Sequence, residues 1–560
     1  MRVFTIVLIA VLAVGTTALP AGAAKRFRFN GEGWGHGIGM SQYGAYGLAT
    51  KRGWHAARIL RHYYTATKIV RRDPPKKKFR VGLEQHRRRI HLTVKRGSVK
   101  LRLKDGTLIQ EVGEGKRRIV EVTSGERYRI LRPGGQVVGG HAWGSAENTL
   151  RIRRVGSAVV AIAEWGHAAG RGDLAFKIVG PRSAHLVAVV PAEQYLYGLG
   201  EVPSSWPMAV LQAQAIAGRT YAYRVVSGKR GGCACDILGD TRDQAYVGWD
   251  KEVGADGDRW VRAVDRTARK VAVHAGDPIY TYYSSSSGGY TENIENVWDG
   301  APPEPYLKGV CDPGDWVGVN PNRTWSVSFT RRGLASALGR PNGIRRVTRV
   351  AVTDRGVSGR VVRATVFGRK ASGAHTSWTT DGWDLRSRLG LKETRFWVNQ
   401  KRDITGRIRN AYDRLNCRPG LAVSSQKRID GGRWQRFERG RMYDHAAKKR
   451  ATWLRGPILS KYLDKHAHRG FLGLPRWLRG VPGGKRARFD GGEIYHASGP
   501  GAHEVHGKVL RRYRKLGGPA SDLKFPTTDV EKLTDGRRRS RFQGGSITCR
   551  SGGGCSVRYT

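Results

Sequence analysis

The chain has 560 residues, 39% of them hydrophobic, enough for two or three domains with cores of their own. Lysine and arginine number 100 against 45 acidic residues, a formal charge of +55 that attracts polyanions whatever the fold. No zinc-finger spacing, RNA-recognition core motif or continuous basic helix accompanies that charge, so nucleic acid is not the expected partner.

At the N-terminus Arg2, the apolar run Val3 to Val14 and Ala21-Gly22-Ala23 make the three parts of a secretory signal, residues 1–24. The alternative, a membrane anchor, needs a longer run than this to cross about 30 Å of hydrocarbon. No later stretch approaches the length of a membrane span, so the mature protein is expected to be secreted, extracytoplasmic and without a transmembrane segment. There the available polyanions are phosphate- or uronate-bearing wall polymers and lipid head groups; a merely solubilising surface charge is the plain alternative.

Residues 25–78 form an N-terminal segment. In 27–49 seven glycines interleave with aromatics and His36, and Ala56, Ile59, Leu60 and Tyr63 then mark a short helix. Asp73-Pro74-Pro75-Lys76-Lys77-Lys78 reads as a linker. Residues 79–185 read as a small β unit, with Ile90, Leu92 and Val94, then Val99, Leu101 and Leu103, alternating with polar residues. Nothing in that unit looks like a catalytic cluster. Glycine, 76 residues in all, is about twice its usual share and fits a turn-rich, β-rich architecture.

In residues 187–226 a short strand leads through a glycine-rich bend to a helix. Pro207 suits its first turn, Ser204 or Ser205 its cap, and Ala209, Ala213, Ala217 and Tyr221 make a smooth packing stripe. Glu201 ends the bend. A helix N-terminus nearby favours its carboxylate, whereas burial in a cleft favours the neutral acid that general-acid catalysis requires. The plain reading is a glutamate that complements the helix dipole.

Tyr282-Tyr283-Ser284-Ser285-Ser286-Ser287-Gly288-Gly289-Tyr290-Thr291-Glu292 offers hydroxyls flanked by aromatic faces, as a sugar site would, or makes a solvated turn. No Gly-x-Ser-x-Gly elbow surrounds these serines. His36 is open to three readings: ligand, acid/base or packed ring. Without His-x-x-x-His or paired Cys-x-x-Cys, no metal or other cofactor is expected.

Six cysteines fit an oxidising setting. Cys549 and Cys555 are expected to bridge. Cys233 and Cys235 stand too close to pair easily, so one of them is expected to reach Cys311, and Cys417 has no obvious partner.

From residue 268 to 400 a strand pattern resumes, including Val362, Ala364 and Val366. Residues 401–560 then repeat. Gly406-x-Ile408-x-x-x-Tyr412 returns at Gly456/Ile458/Tyr462 and at Gly507/Val509/Tyr513, and Phe489-Asp490-Gly491-Gly492 returns at Phe542-Gln543-Gly544-Gly545 with a weaker copy at Phe437. Anchors that keep one order and one period define a three-unit array.

The run YLYGLGEVPSSWPMAVLQAQAIAGRTYAY, with Asp240-Thr241, Gln244-Ala245-Tyr246, the Ser/Gly loop and Trp383-Asp384-Leu385-Arg386-Ser387-Arg388-Leu389-Gly390-Leu391, resembles the stage II sporulation protein D / LytB family over residues 186–400. Sporulation members of that family are lytic transglycosylases of peptidoglycan glycan strands, and the resemblance maps their essential glutamate onto Glu201. One carboxyl suffices for that chemistry: it protonates the leaving glycosidic oxygen, then deprotonates the muramoyl C6 hydroxyl to close a 1,6-anhydro ring.

The resemblance also makes Gln214, Arg219, Tyr246, Ser287, Gly288 and Gly289 candidate substrate-binding residues, with His36 and Gln42 if residues 33–44 fold back beside the groove. Zinc-binding members carry His and Cys where this chain has Tyr283 to Ser287, so zinc is withheld. The LytB branch is an amidase enhancer, which leaves a non-enzymatic role, with a cell-wall amidase as partner, as the alternative. Residues 401–560 resemble LGFP repeats, from Leu472-Gly473-Leu474-Pro475 and the Phe-x-Gly-Gly anchors, and imply attachment to the envelope. The fold implied is α+β: a β-rich domain with a preceding small β unit, then repeats of short β/turn units with helices.

Overall fold

The computed structural model describes residues 26–228 and 232–560; the signal segment at 1–24 lies outside them. Strand Arg26–Gly31 does not stay with its sequence neighbours. It pairs antiparallel with Trp325–Thr330 on one side and Phe396–Val398 on the other, burying Phe29 against Phe396. The glycine-rich segment is thereby held beside the end of the central domain. Helix α1 (Gln42–Arg52) follows, its first turn capped by the Ser41 hydroxyl, which accepts from the Gly44 N–H. Helix α2 (Ala56–Tyr63) buries the four residues whose spacing marked it.

A ten-stranded sheet comes next. The alternating run is one strand, Arg89–Leu103, which pairs with Leu150–Ile162 over most of its length. The sheet is antiparallel except for Ile237–Leu238, which forms one edge and pairs parallel with Lys78–Arg87. The boundary drawn at residue 185 falls inside strand Ser183–Pro191, which leads directly into helix α3 (Ala192–Tyr197). Phe79, Leu186, Tyr195, Leu199, Leu211 and Trp260 share one core, so sheet and helices stabilise each other.

Helix α4 (Met208–Val226) is buried on nearly every side, well beyond a single alanine stripe. Neither Ser204 nor Ser205 caps it. Pro207 occupies the cap position, and its carbonyl accepts from the N–H groups of Val210 and Leu211. Helices α5 (Trp249–Val253) and α6 (Gly257–Arg266) complete this half, with the Trp260 indole donating to the Leu196 carbonyl.

Residues 325–398 form a second core, in which α7 (Arg331–Ala337) and α8 (Gly382–Leu389) pack on the meander Arg346–Arg355, Val361–Arg369 and His375–Asp381.

The C-terminal array is three copies of one unit. Helices α9 (Gly406–Arg414), α10 (Gly456–Asp464) and α11 (Gly507–Lys515) are each followed by a four-stranded antiparallel sheet. The recurring sequence anchors meet in space: Tyr412 stacks on Phe437, Tyr462 on Phe489 and Tyr513 on Phe542, at 5.5, 4.6 and 4.5 Å between ring centroids. The chain is thus mixed α+β and strand-rich, with small repeated sheets at its C-terminus.

Cys549 and Cys555 are bridged, as expected. The other two pairings differ from expectation. Cys233 bonds Cys235, because Ala234 between them takes a left-handed conformation (φ 54°) that brings their Cα atoms to 5.1 Å. Cys311 is therefore free to bond Cys417, just beyond α9, which ties the first repeat to the preceding domain.

Candidate functional site

Glu201 lies in the bend joining α3 to α4, and that bend is clamped to residues 244–248. The Gly200 N–H donates to the Ala245 carbonyl at 2.8 Å, and the Val247 N–H to the Gly198 carbonyl at 2.8 Å. Gly198 must be glycine here, since a Cβ would lie 2.4 Å from the Tyr246 ring. The clamp aims the Ala245 N–H at the Glu201 Oε1, 2.7 Å away.

A chain of polar groups leads to the same carboxyl. The Tyr195 hydroxyl donates to the Gln244 Oε1 (3.0 Å), the Gln244 Nε2 donates to the Tyr283 hydroxyl (2.8 Å), and the Tyr283 hydroxyl favours the ionised form of Glu201. Gln42, from α1, donates its Nε2 to the Glu201 backbone carbonyl at 3.2 Å and favours the ionised form of the carboxyl.

Of the two influences weighed from the sequence, burial prevails. Glu201 is half-buried, and the protein around its carboxyl raises the pKa above the ordinary 4.5. The Ala245 N–H, Tyr283, Gln42 and the Lys251 charge oppose that rise without cancelling it. Lys251 is itself pushed down to about 8 by burial, while its ammonium donates to the Val202 carbonyl. A cleft of about 390 Å³ opens on Glu201, with Val202, Pro203, Val247, Lys251 and the hydrogen-bonded pair His167 and Asp250 in its walls. His167 and Asp250 also line an adjoining trough of about 560 Å³ that runs over the ten-stranded sheet past Lys95, Arg96 and Trp249. The β unit, which carries no catalytic cluster in its sequence, thus supplies one wall of the site.

The other candidate residues are placed differently. Gln214 is wholly buried on α4, its Oε1 3.4 Å from the Gln42 Nε2, so it backs Gln42 from behind. Arg219 is wholly buried too, forked onto Glu193. Tyr246 is sandwiched between the Trp165 and Tyr195 rings under the bend. Ser287 has no exposure, and its hydroxyl donates to Asp312 at 2.6 Å.

Gly288 and Gly289 have φ of 69° and 98°, and a Cβ on them would press on Glu32 and on the Arg409 guanidinium respectively. Their conformation turns the loop against the N-terminal segment. His36 is a packed ring against Trp298 and Tyr282, its Nδ1 accepting from the Ile38 N–H and its pKa lowered by burial to about 4. The structure therefore brings Gln42, Gln214 and Tyr246 together around Glu201 and uses Arg219, Ser287, Gly288, Gly289 and His36 in the surrounding frame.

Sequence reasoning passed over Tyr283, Gln244 and Lys251. Gln244 and Tyr283 stand inside the quoted motifs; Lys251 had no local signal. Among the described residues no three His, Cys, Asp or Glu side chains are grouped to hold a metal ion.

A family model described as Stage II sporulation protein matches residues 182–274, the stretch that holds the Glu201 bend and α4. The LGFP repeat model matches residues 420–470 and 477–521. Over 240 residues the chain is 29% identical to Stage II sporulation protein D of Bacillus amyloliquefaciens, covering 40% of this chain and 64% of that protein. The corresponding protein of Bacillus subtilis (strain 168) is 27% identical over 229 residues, 39% of this chain and 63% of its own length. The Amidase enhancer of the same organism is 33% identical over 134 residues, 24% of this chain and 16% of that protein. The chain spans less than two thirds of the length of these relatives. The bend and the buried helix thus fall in the stretch matched by the Stage II sporulation protein domain model, and much of the repeated helix-and-sheet array in the stretches matched by the LGFP repeat model.

Proposed function

We propose that this protein is an extracytoplasmic, wall-bound lytic transglycosylase that cleaves the MurNAc–GlcNAc linkage of peptidoglycan with Glu201 as its single acid/base. The observation that carries the reading is a carboxyl of raised pKa, held at the mouth of a cleft by Ala245, Tyr283 and Gln42. Burial favours the protonated form of Glu201, the form that can give a proton to the glycosidic oxygen. Once that proton is given up, the carboxylate is stabilised by the same three donors and by Lys251, ready to accept the proton of the C6 hydroxyl as the anhydro ring closes. The repeats would hold the chain on the envelope through anionic wall polymers while the cleft engages glycan.

The test is Glu201→Gln protein incubated with peptide-stripped glycan. Wild type should release 1,6-anhydromuramoyl products and the variant should release almost none; equal yields sink the assignment. A second reading, drawn from the similarity to an Amidase enhancer, is a non-enzymatic activator of a wall amidase. It requires that pure wild-type protein release no glycan fragments while accelerating stem-peptide release by an added amidase.

A further inference from the structure

The groove between the first and second repeats is lined by six cations and no acid. Arg414 and Arg418 come from the end of α9, Arg450 and Arg455 from the last strand of the first unit and its end, and Arg479 and Lys485 from the first hairpin of the second unit. The space they enclose is about 360 Å³. The chain elsewhere partners its arginines with acids freely, as with Arg407 on Asp444 or Arg476 on Asp490. Here Arg455 lies over the Trp453 indole at 4.0 Å, and burial together with the nearby Arg418 disfavours its charge. The groove wall also contains Thr452, 5% exposed, whose hydroxyl has no hydrogen-bond partner.

The next junction shows that this arrangement is a property of the first groove and not of the repeat. One period beyond Leu478, which lines the first groove, the second junction has Asp529. That carboxylate pairs with Lys461 at 3.2 Å, Lys465 at 2.9 Å and His503 at 3.4 Å, and so neutralises its own basic residues. Gathering six like charges with no internal acid destabilises the free protein, and a cleft of one sign concentrates the opposite charge from solution.

We infer that the groove between the first two repeats binds the phosphodiester groups of an anionic wall polymer. Guanidinium forks approach from three walls. The tetrahedrally arranged oxygens of a phosphodiester can accept them from several directions, whereas a planar carboxylate accepts forks mainly in one plane. The inference deepens the tethering role given above to the repeats and is independent of Glu201.

The full-length protein is titrated calorimetrically with poly(glycerol phosphate) and, separately, with polygalacturonate of similar charge. Binding of the phosphate polymer should fall at least about tenfold in the Arg418→Gln/Arg450→Gln/Arg479→Gln variant, and by less than about twofold in Arg332→Gln/Arg345→Gln/Arg346→Gln, which removes the same charge from α7 and the neighbouring strand. Leu478→Asp, which places in the first groove the acid that neutralises the second, should weaken binding as well. Equal losses in the groove and control variants, unchanged affinity in all of them, or absence of binding by wild type would overturn the inference. Polygalacturonate binding as tight as that of the phosphate polymer overturns the phosphodiester assignment. Anhydro-product release is measured on the same preparations: its loss throughout concerns Glu201 alone, and failed polymer binding with intact cleavage concerns the groove alone.

Discussion

At Glu201 the balance of burial against hydrogen bonding would, on the proposed transglycosylase reading, set both activity and stability. Its folded pKa is raised above 4.5, so the proton needed for acid catalysis persists to higher pH, and cleavage should decline as pH rises through that raised value. Tyr283 favours the ionised form. Tyr283→Phe should therefore move the alkaline limb of the kcat/KM profile to higher pH; a shift to lower pH would show that the hydroxyl acts otherwise.

Stability has the opposite sign from function. Below about pH 4 Glu201 is neutral in both folded and unfolded chains, and above it the folded chain alone resists ionisation. Glu201→Gln should thus raise Tm at pH 7 and match wild type near pH 4, as read by calorimetry. The position of this acid was legible through its motif. Its partners were not: Gln244 and Tyr283 lie 43 and 82 residues further on, and only folding brings them to the carboxyl.

Helix α4 shows what element-scale reading reaches. Its start followed from Pro207, but the alanine stripe under-described it, because α1, α2 and α6 cover faces that no local pattern assigns. Arg219 illustrates the consequence. A basic residue within a motif reads as a substrate contact, yet here the guanidinium has no exposure and forks onto Glu193 at the start of α3. Arg219→Met should cost about 3 kcal/mol in urea unfolding, because Glu193 keeps only the Tyr223 hydroxyl and the Val264 and Lys270 carbonyls lose the guanidinium donors. Adding Glu193→Leu should restore part of the loss, which a groove residue acting on substrate would not do.

In the repeats the tyrosine and phenylalanine anchors were visible from their period alone, and stacking explains why both recur. Tyr462→Ala should cost about 3–5 kcal/mol, measured by the shift in the unfolding midpoint, because it empties a buried ring site against Phe489.

Across the whole molecule, the Cys311–Cys417 bridge joins residues 106 positions apart and fastens the first repeat beside the Ser/Gly loop. The Arg409 guanidinium lies 4.5 Å over the Trp316 ring across the same junction. Replacing both cysteines by serine should destabilise the protein by up to about 4 kcal/mol, the loop-closure entropy regained by the unfolded chain, and should lower its Tm under oxidising conditions.

What the residues alone determined were properties that are local or additive along the chain: the net charge, the strand alternation, the repeat period and the bend that carries the acid. The Cys311–Cys417 pairing, the donors reaching Glu201, and the choice of which arginines meet an acid and which are left facing a groove were decided only in the tertiary structure. Each of those depends on a separation of a few ångströms between segments tens to hundreds of residues apart, which backbone packing sets and residue order does not display.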